Sequence, residues 1–409
     1  RESAEADVAI VGGGFSGLST ALHLAKRGRQ VTVLEGAEVG WGASGRNNGQ
    51  VIPTLTAVEP DAMVKRWGEA GERFAHLVRD SASITFDLIR AEGIEAEAEQ
   101  TGWFQPAHSP GRVKLSEKRV EAWRRFGAPA ELLDREQTRA LLGSDFWYGG
   151  MLNPTGGHIN PLALARGLAG AAERAGATIH ETTPVQKIER EGDKWALTLP
   201  EGRLTARAVV LATQAYTDAL APGLMPKVAR SIVPVLSWQA ATEPLGDNLR
   251  ATIVPGRQAV SDTRADLRFF RYDARNRLVT GGAMMIPVNA EAKMRRMVGA
   301  KMAAAFPAMG APNLAYIWNG YIAITPDRWP RVHRYGPDFW GWIGCNGRGV
   351  ALGVAMGREI AAAVEGVDPN TLALPLSDPQ PIPFHAIGRR VAPAVLAWYR
   401  RRDKVEPRL

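Results

Sequence analysis

The sequence contains a single cysteine, Cys345, among its 409 residues. One cysteine forms neither an intramolecular disulfide nor a redox-active pair, so the chain is not a dithiol oxidoreductase. No apolar run reaches the roughly 18–20 residues that a membrane-spanning helix needs. The seven histidines are scattered without the spacing of a metal site, and no Ser-His-Asp pattern is evident. We therefore expect no metal, and the chemistry must come from elsewhere.

The sequence is also short of negative charge: 42 acidic residues stand against 50 basic ones, giving a net charge of +8 and a pI near 9.7. No motif for nucleic-acid recognition accompanies this charge. We favour a solvated basic helix at the end of the chain over docking on an anionic membrane. The polar beginning RESAEAD is unlike a signal peptide and favours a cytoplasmic protein. The basic residues near the end are Arg389, Arg390, Arg400, Arg401, Arg402, Lys404 and Arg408.

The most informative segment runs from Asp7 to Glu35. Gly12, Gly14 and Gly17 form a G-x-G-x-x-G pattern directly after an apolar run, and a helical pattern follows. The first glycine permits a tight turn, the second lets the backbone approach a pyrophosphate, and the third lets the helix pack on the strand. Glu35 ends a second apolar run roughly 20 residues further on, where a carboxylate accepts hydrogen bonds from ribose hydroxyls. The segment predicts a dinucleotide at the helix N-terminus.

The rest of the chain alternates between two patterns. We predict a long helix from Asp61 to Glu92, and a second helix with Asn160 as N-cap and Pro161 as its first residue. Residues 225–320 alternate like strands, and the nucleotide pattern resumes near residue 340. We expect an α/β fold in which a discontinuous Rossmann-like domain (1–92, 151–224 and 325–370) receives an inserted mixed or antiparallel-sheet substrate domain (93–150 and 225–324). Residues 371–409 are expected to pack on the first domain.

The loop after Glu35 favours a ligand longer than NAD. NAD dehydrogenases continue into regular βα units at this point, whereas this chain continues with GWGASGRNNGQ. In this loop and in the late segment GCNGRGVALGVAMG, the chain resembles the amine and amino-acid oxidoreductase family that includes D-amino-acid oxidase, glycine oxidase and sarcosine oxidase. Its gamma-glutamylputrescine oxidase branch is the most similar. The resemblance covers nearly the whole chain and implies that the Rossmann-like domain binds FAD.

Carried over position by position, the resemblance implies where FAD would lie. The glycine turn would face the pyrophosphate, and Val185, on the strand after TTP, would contact adenine through its backbone. The late turn and the positive end of the following helix would stabilise negative charge on the reduced flavin. The implied FAD-binding residues are Gly12, Gly14, Phe15, Ser16, Gly17, Glu35, Gly36, Gly42, Ala43, Ser44, Arg46, Asn47, Asn48, Gln50, Val185, Ala212, Thr213, Gly344, Gly347, Arg348, Gly349, Val350 and Ala351.

Two departures from the family matter. Sarcosine oxidases attach their flavin through a cysteine shortly before a T-P-D sequence, and Gly320 occupies that position here, which implies non-covalent FAD. Cys345 is interpreted as a small buried residue. Sarcosine oxidase also uses a lysine for its reaction with oxygen, and the matching stretch, Arg275 to Gly282, has none. The electron acceptor is therefore left open between oxygen and a quinone or protein carrier.

We expect the enzyme to oxidise a C–N bond of a primary or secondary amine: an amino acid, an N-substituted amino acid or a polyamine conjugate. Hydride passes to flavin N5, and the imine is then hydrolysed. Arg271 and Arg348 are the candidates for holding a substrate carboxylate. His158 would line the pocket, although a structural role is favoured, and Trp318 and Tyr321 would form an apolar wall. The alternatives are an NAD(P)H-dependent flavin monooxygenase and a non-catalytic, flavin-stabilised assembly protein.

Overall fold

Two eight-stranded sheets organise the chain, and the computed structural model describes residues 3–284 and 288–406. In chain order the strands are β1 (Ser3–Val11), β2 (Val31–Leu34), β3 (Gln50–Val51), β4 (Trp103–Pro106), β5 (Glu131–Leu133), β6 (Gly150–Asn153), β7 (Gly157–His158), β8 (Thr178–His180), β9 (Lys187–Glu191), β10 (Lys194–Leu199), β11 (Gly202–Leu211), β12 (Val233–Thr242), β13 (Ala259–Ser261), β14 (Phe269–Tyr272), β15 (Leu278–Ala283), β16 (Leu314–Ile324), β17 (Arg331–Gly336) and β18 (Phe339–Ile343).

The α-helices connect and cover these sheets. They are α1 (Phe15–Ala25), α2 (Ala43–Arg46), α3 (Pro60–Trp67), α4 (Glu69–Ala91), α5 (Pro110–Arg125), α6 (Arg135–Leu142), α7 (Pro161–Arg174), α8 (Pro226–Ala229), α9 (Asp247–Arg250), α10 (Ala290–Ala305), α11 (Ala351–Val364) and α12 (His385–Val405).

The first sheet has the strand order β17-β18-β11-β1-β2-β8, and the hairpin of β9 and β10 joins it through β11. β1 is parallel to β2 and β11, and β11 is parallel to β18. The carboxyl ends of these strands therefore meet at one edge, which is where open α/β sheets bind their ligands. The expected α/β fold is confirmed.

Helices from the two ends of the chain lie side by side on this sheet. On α1, the Ser19 hydroxyl donates to the carbonyl of Val354 on α11 at 2.8 Å. The approach is close because Gly357 has no side chain: a Cβ there would lie 2.5 Å from the Cβ of Ser19. The N-terminal and C-terminal nucleotide patterns therefore belong to one unit.

The second sheet has the order β16-β12-β15-β14-β13-β4-β6-β5. Its aromatic core includes Trp147, Phe270 and Phe306, whose rings pack edge-on or tilted. Its strands come from residues 103–153 and 233–324, so β6 straddles the expected boundary between residues 150 and 151. The exact domain boundaries stay a prediction.

The predicted helix from Asp61 to Glu92 is two helices, α3 and α4. Gly68 interrupts it with φ = 56°, in the left-handed region that favours glycine. The second helix prediction is confirmed: the Asn160 side chain accepts a hydrogen bond from the backbone N–H of Ala163 at the start of α7. None of the helices in the described ranges is long and apolar enough to cross a membrane.

The C-terminal extension divides between the two sheets. The backbone N–H of Ser377 donates to the carbonyl of Val332 in the first sheet. Helix α12 instead packs on the second: Arg400 pairs with Asp266, and the Asp403 carboxylate accepts the backbone N–H of Asp266. The expectation that the whole extension packs on the first domain is therefore wrong for α12. Residue Arg408 and the side chains of Arg389, Arg390 and Lys404 lie outside the described part of the chain.

Candidate active site

A cavity of about 1180 Å³ lies where the two sheets meet. Residues of the early glycine turn, the loop before β3, the segment after β11, the strands of the second sheet and the late turn all line it. Typical pockets for drug-sized ligands have volumes of about 300–1,000 Å³. The cavity is thus large enough for an extended dinucleotide and a substrate together.

The early glycine turn is built so that only glycine fits at two positions. Gly12 has φ = 111°, and a Cβ there would lie 3.0 Å from the carbonyl oxygen of Ala212. A Cβ at Gly17 would lie 2.1 Å from the carbonyl oxygen of Gly12. The turn therefore folds tightly onto the start of α1 and leaves that helix N-terminus facing the cavity.

Glu35 stands at the carboxyl end of β2 and lines the cavity. Its carboxylate accepts hydrogen bonds from the backbone N–H groups of Gly13 at 2.6 Å and Ala37 at 2.9 Å. Burial raises the pKa of Glu35 despite these hydrogen bonds. The carboxylate thus couples the end of β2 to the glycine turn, at the position expected for the ribose.

The late turn is held by side chains from the middle of the chain. Gln214 accepts a hydrogen bond from the backbone N–H of Gly344 at 3.1 Å and donates one to the carbonyl of Trp342 at 2.9 Å. Asn346 accepts from the backbone N–H of Thr325 at 2.9 Å. These contacts direct the N-terminus of α11 at the cavity, where its positive end favours negative charge.

Most of the implied FAD-binding residues do line the cavity; Gly17, Gly344 and Ala351 do not. Gly17 lies beneath the turn, where its role is to permit close packing. Gln50 lines the cavity, and its amide nitrogen donates to the carbonyls of Val260 and Phe270, tying the loop to the second sheet.

Arg271 does not line the cavity. Its buried guanidinium donates to the backbone carbonyls of Asn48 and Tyr272. Burial lowers the pKa of Arg271 to about 10. The prediction that Arg271 holds a substrate carboxylate is therefore wrong. Its guanidinium instead holds the backbone of the loop that precedes β3.

His158 and Trp318 are likewise absent from the cavity wall. His158 is buried in β7, with Nε2 2.9 Å from the carbonyl oxygen of Arg257, and burial lowers the pKa of His158 to about 4. The indole N–H of Trp318 donates to the carbonyl of Arg46 at 2.9 Å. Both side chains therefore hydrogen-bond to backbone carbonyls and do not form part of the substrate pocket, contrary to the prediction.

Arg348, the second candidate for holding a substrate carboxylate, lines the cavity. Within the described residues, no carboxylate or carbonyl accepts a hydrogen bond from its side chain, and its Nε is a buried donor without a partner. Burial, followed by the nearby charge of Arg119, lowers the pKa of Arg348 to about 9. Buried guanidinium groups are normally paired, so this one calls for an anionic ligand.

Sequence reasoning missed Arg119 and Glu59, which line the same wall. Arg119 Nε lies 2.6 Å from a Glu59 carboxylate oxygen, and the other oxygen accepts from the indole of Trp123 at 2.7 Å. Two arginines against one glutamate leave one positive charge in excess at this part of the cavity. No motif marks these residues, which reach the site from α5 and from the residue preceding α3.

Tyr321 lines the cavity, together with Trp41 and Tyr216, which sequence reasoning missed. The Tyr216 hydroxyl accepts a hydrogen bond from the backbone N–H of Tyr321 at 2.9 Å, and the two rings pack edge-on at 5.8 Å. Cys345 also lines the cavity. Burial raises the pKa of the Cys345 thiol, so it stays protonated and is a poor nucleophile.

Comparison with known proteins identifies the family. A family model described as "FAD dependent oxidoreductase" matches residues 7–363. The Gamma-glutamylputrescine oxidoreductase of Escherichia coli K12 is 32% identical over 368 residues, covering 90% of this chain and 85% of that protein. A "Probable oxidoreductase OrdL" of Haemophilus influenzae is 33% identical over 372 residues, covering 89% and 84%.

Solved structures share the fold. The L-proline dehydrogenase of P. horikoshii superposes with a TM-score of 0.76 at 22% identity, covering 90% of this chain and 96% of that one. The glycine oxidase of Geobacillus kaustophilus gives a TM-score of 0.74, also at 22% identity, with coverage of 89% and 96%.

Proposed function

The chain belongs to the family of FAD-dependent oxidoreductases, and on that premise we propose that it oxidises a C–N bond of an amine that also carries a carboxylate. FAD is its cofactor. The proposed substrates are amino acids, N-substituted amino acids and acid-bearing polyamine conjugates.

The residues present fit FAD. The proposed cradle consists of the glycine turn at Gly12, the carboxylate of Glu35 and the N-terminal backbone of α11, which line a single cavity. When bound, FAD supplies a two-electron acceptor for hydride. The protein contributes alignment of the amine, exclusion of water and a positive helix end where negative charge develops.

The unpaired guanidinium of Arg348 carries the proposal for the substrate. A carboxylate would accept two parallel hydrogen bonds from it and neutralise the excess charge that Arg348, Arg119 and Glu59 leave in the wall. The name of the Escherichia coli relative, gamma-glutamylputrescine oxidoreductase, combines an amine with a glutamyl group and supports this substrate class. No side-chain base is needed, because the neutral amine's lone pair assists as the hydride leaves.

The test is anaerobic reduction of the purified, FAD-loaded protein by matched pairs of amines. In each pair, one member carries a carboxylate and the other has a methyl group or an amide in its place. We expect the acid-bearing member to bleach the flavin absorbance faster at equal concentration. Equal rates within every pair would contradict the role of Arg348, and failure of all amines would contradict C–N oxidation.

The same reduced protein is used to identify the electron acceptor. After anaerobic reduction, oxygen and a soluble quinone are added to separate samples, and the return of flavin absorbance is followed. We propose that one of the two restores it within the turnover time. If neither does, a protein carrier becomes the acceptor to examine.

A further inference from the structure

Three potential metal ligands meet where α12 reaches the second sheet. They are His108, in the turn before α5, and Asp403 and Glu406, near the end of α12. One ligand atom from each lies within 4.8 Å of the other two. His108 and Asp403 are buried, and Glu406 is partly buried.

His108 has an unsatisfied nitrogen at the centre of this cluster. The side chain is 1% exposed, and Nδ1 lies 2.8 Å from the hydroxyl oxygen of Thr263, which fixes the orientation of the ring. Nε2 has no hydrogen-bond partner among the described residues and lies 3.8 Å from a carboxylate oxygen of Glu406. If Nδ1–H donates to Thr263, the Nε2 lone pair is free to coordinate a cation that oxygens of Asp403 and Glu406 can also reach.

A neutral imidazole with an oriented second nitrogen is the form that binds metals.

The carboxylates keep free acceptor positions. The two oxygens of Asp403 accept from the backbone N–H groups of Ala265 at 3.2 Å and Asp266 at 2.8 Å. Glu406 pairs with Arg112 through both of its oxygens. Each of these oxygens has a second lone pair that a metal ion could use.

We propose that His108, Asp403 and Glu406 bind a divalent transition-metal ion of the Zn²⁺ type. Bonds of about 2.0–2.2 Å from His and carboxylate ligands would span the 3.8 Å between His108 Nε2 and Glu406 with little movement. One nitrogen and two oxygen ligands suit Zn²⁺ better than Ca²⁺ or Mg²⁺, which prefer all-oxygen sites.

The metal would fasten α12 to the cavity wall. Thr263 and Ala265, which contact His108 and Asp403, line the cavity, and so do Tyr399 and Arg402 from α12. The site is distinct from the proposed cofactor cradle, so a metal here has a structural role and takes no part in the oxidation.

The test uses the FAD-loaded protein, stripped with a chelator and then titrated with Zn²⁺ or Co²⁺. We expect one metal ion per chain by elemental analysis and a visible d–d absorption for bound Co²⁺. His108→Gln and Glu406→Gln should each weaken binding at least about tenfold. His180→Gln, which removes an exposed histidine from β8, is the matched control and should bind as the wild type does.

Flavin content and the thermal melting curve show whether each variant is folded. In the wild type the metal should raise the melting temperature, and in the folded His108→Gln variant it should not. Absence of stoichiometric metal in the wild type would overturn the proposal. Undiminished binding by His108→Gln and Glu406→Gln would overturn it equally.

Discussion

Replacing Arg348 by methionine should stabilise the substrate-free protein while it impairs oxidation of an acid-bearing amine. The pKa of Arg348, lowered to about 9, corresponds to a cost of roughly 5 kcal/mol for keeping its charge in the folded protein. Methionine removes that cost and retains most of the side-chain volume beside Trp103. We expect the free energy of unfolding at neutral pH to rise by about 2–5 kcal/mol.

The size of this gain in stability depends on pH. Below pH 9 the arginine is charged in both the folded and the unfolded protein, so the full cost is present. Above that pH the folded protein releases the proton first, and the cost declines as the pH rises towards the ordinary pKa of arginine. The comparison of wild type and Arg348→Met therefore belongs at neutral pH.

Substrate oxidation should change in the opposite direction. Hydrogen bonds to charged groups contribute about 1.5–3 kcal/mol each, so losing a two-pronged contact should lower kcat/KM for the acid-bearing amine roughly 100-fold or more. The matched amine without a carboxylate should be oxidised at nearly the wild-type rate. Stopped-flow reduction of the flavin, with FAD content checked to be equal, measures both.

Arg271→Met is the matched control, since Arg271 is also a buried arginine with a lowered pKa. Its removal relieves a charge-burial cost of roughly 3 kcal/mol but leaves the buried carbonyls of Asn48 and Tyr272 without their donor, at about 1–3 kcal/mol each. Urea unfolding should therefore show a clear gain in stability for Arg348→Met and little change or a loss for Arg271→Met. If Arg348→Met loses as much stability as Arg271→Met, or still discriminates in favour of the carboxylate, the reasoning is refuted.

Further predictions concern the FAD cradle, the stability of the protein at acid pH and the reactivity of Cys345. Gly17→Ala should yield protein with little FAD, measured by the ratio of flavin to protein absorbance, because a Cβ would collide with the carbonyl of Gly12. Gly28→Ala is the control for a glycine replaced where a Cβ meets no other atom, and it should retain FAD, although its φ of 79° costs some stability. Wild-type stability should fall as the pH drops from 6.5 towards 4, with His158 contributing about 3 kcal/mol of the loss because its pKa is about 4 in the fold. Urea unfolding of His158→Gln near neutral pH and near pH 4 should show a correspondingly smaller loss. Cys345 is partly exposed in the cavity wall rather than fully buried as expected, and its raised pKa should make it react with a thiol reagent more slowly in the native protein than after unfolding. Because the FAD is expected to be non-covalent, acid precipitation should leave all of the flavin in the supernatant.

The part of the site that is local in sequence was predictable. The turn from Gly12 to Gly17 and the acid Glu35 lie within one βαβ unit, whose spacing follows from the chemistry of a dinucleotide. Arg119 and Glu59 were not predictable, because helix packing brings them to the wall from segments that carry no motif. The break at Gly68 was missed because a helical pattern continues on both sides of it.

Arg271 and Arg348 were equal candidates from sequence, and their surroundings separate them. Phe269, two residues before Arg271 on β14, lines the cavity. Because residues two apart on a strand share a face, alternation places Arg271 on the face of β14 that is turned towards the cavity. The loop before β3 nevertheless covers it: Gly49 has φ = 85°, and a Cβ there would lie 3.0 Å from Arg271 Nε. Strand periodicity gives the direction of a side chain but not what lies over it. Internal acceptors then decide which arginine is available to a ligand, and within the described residues Arg348 has none.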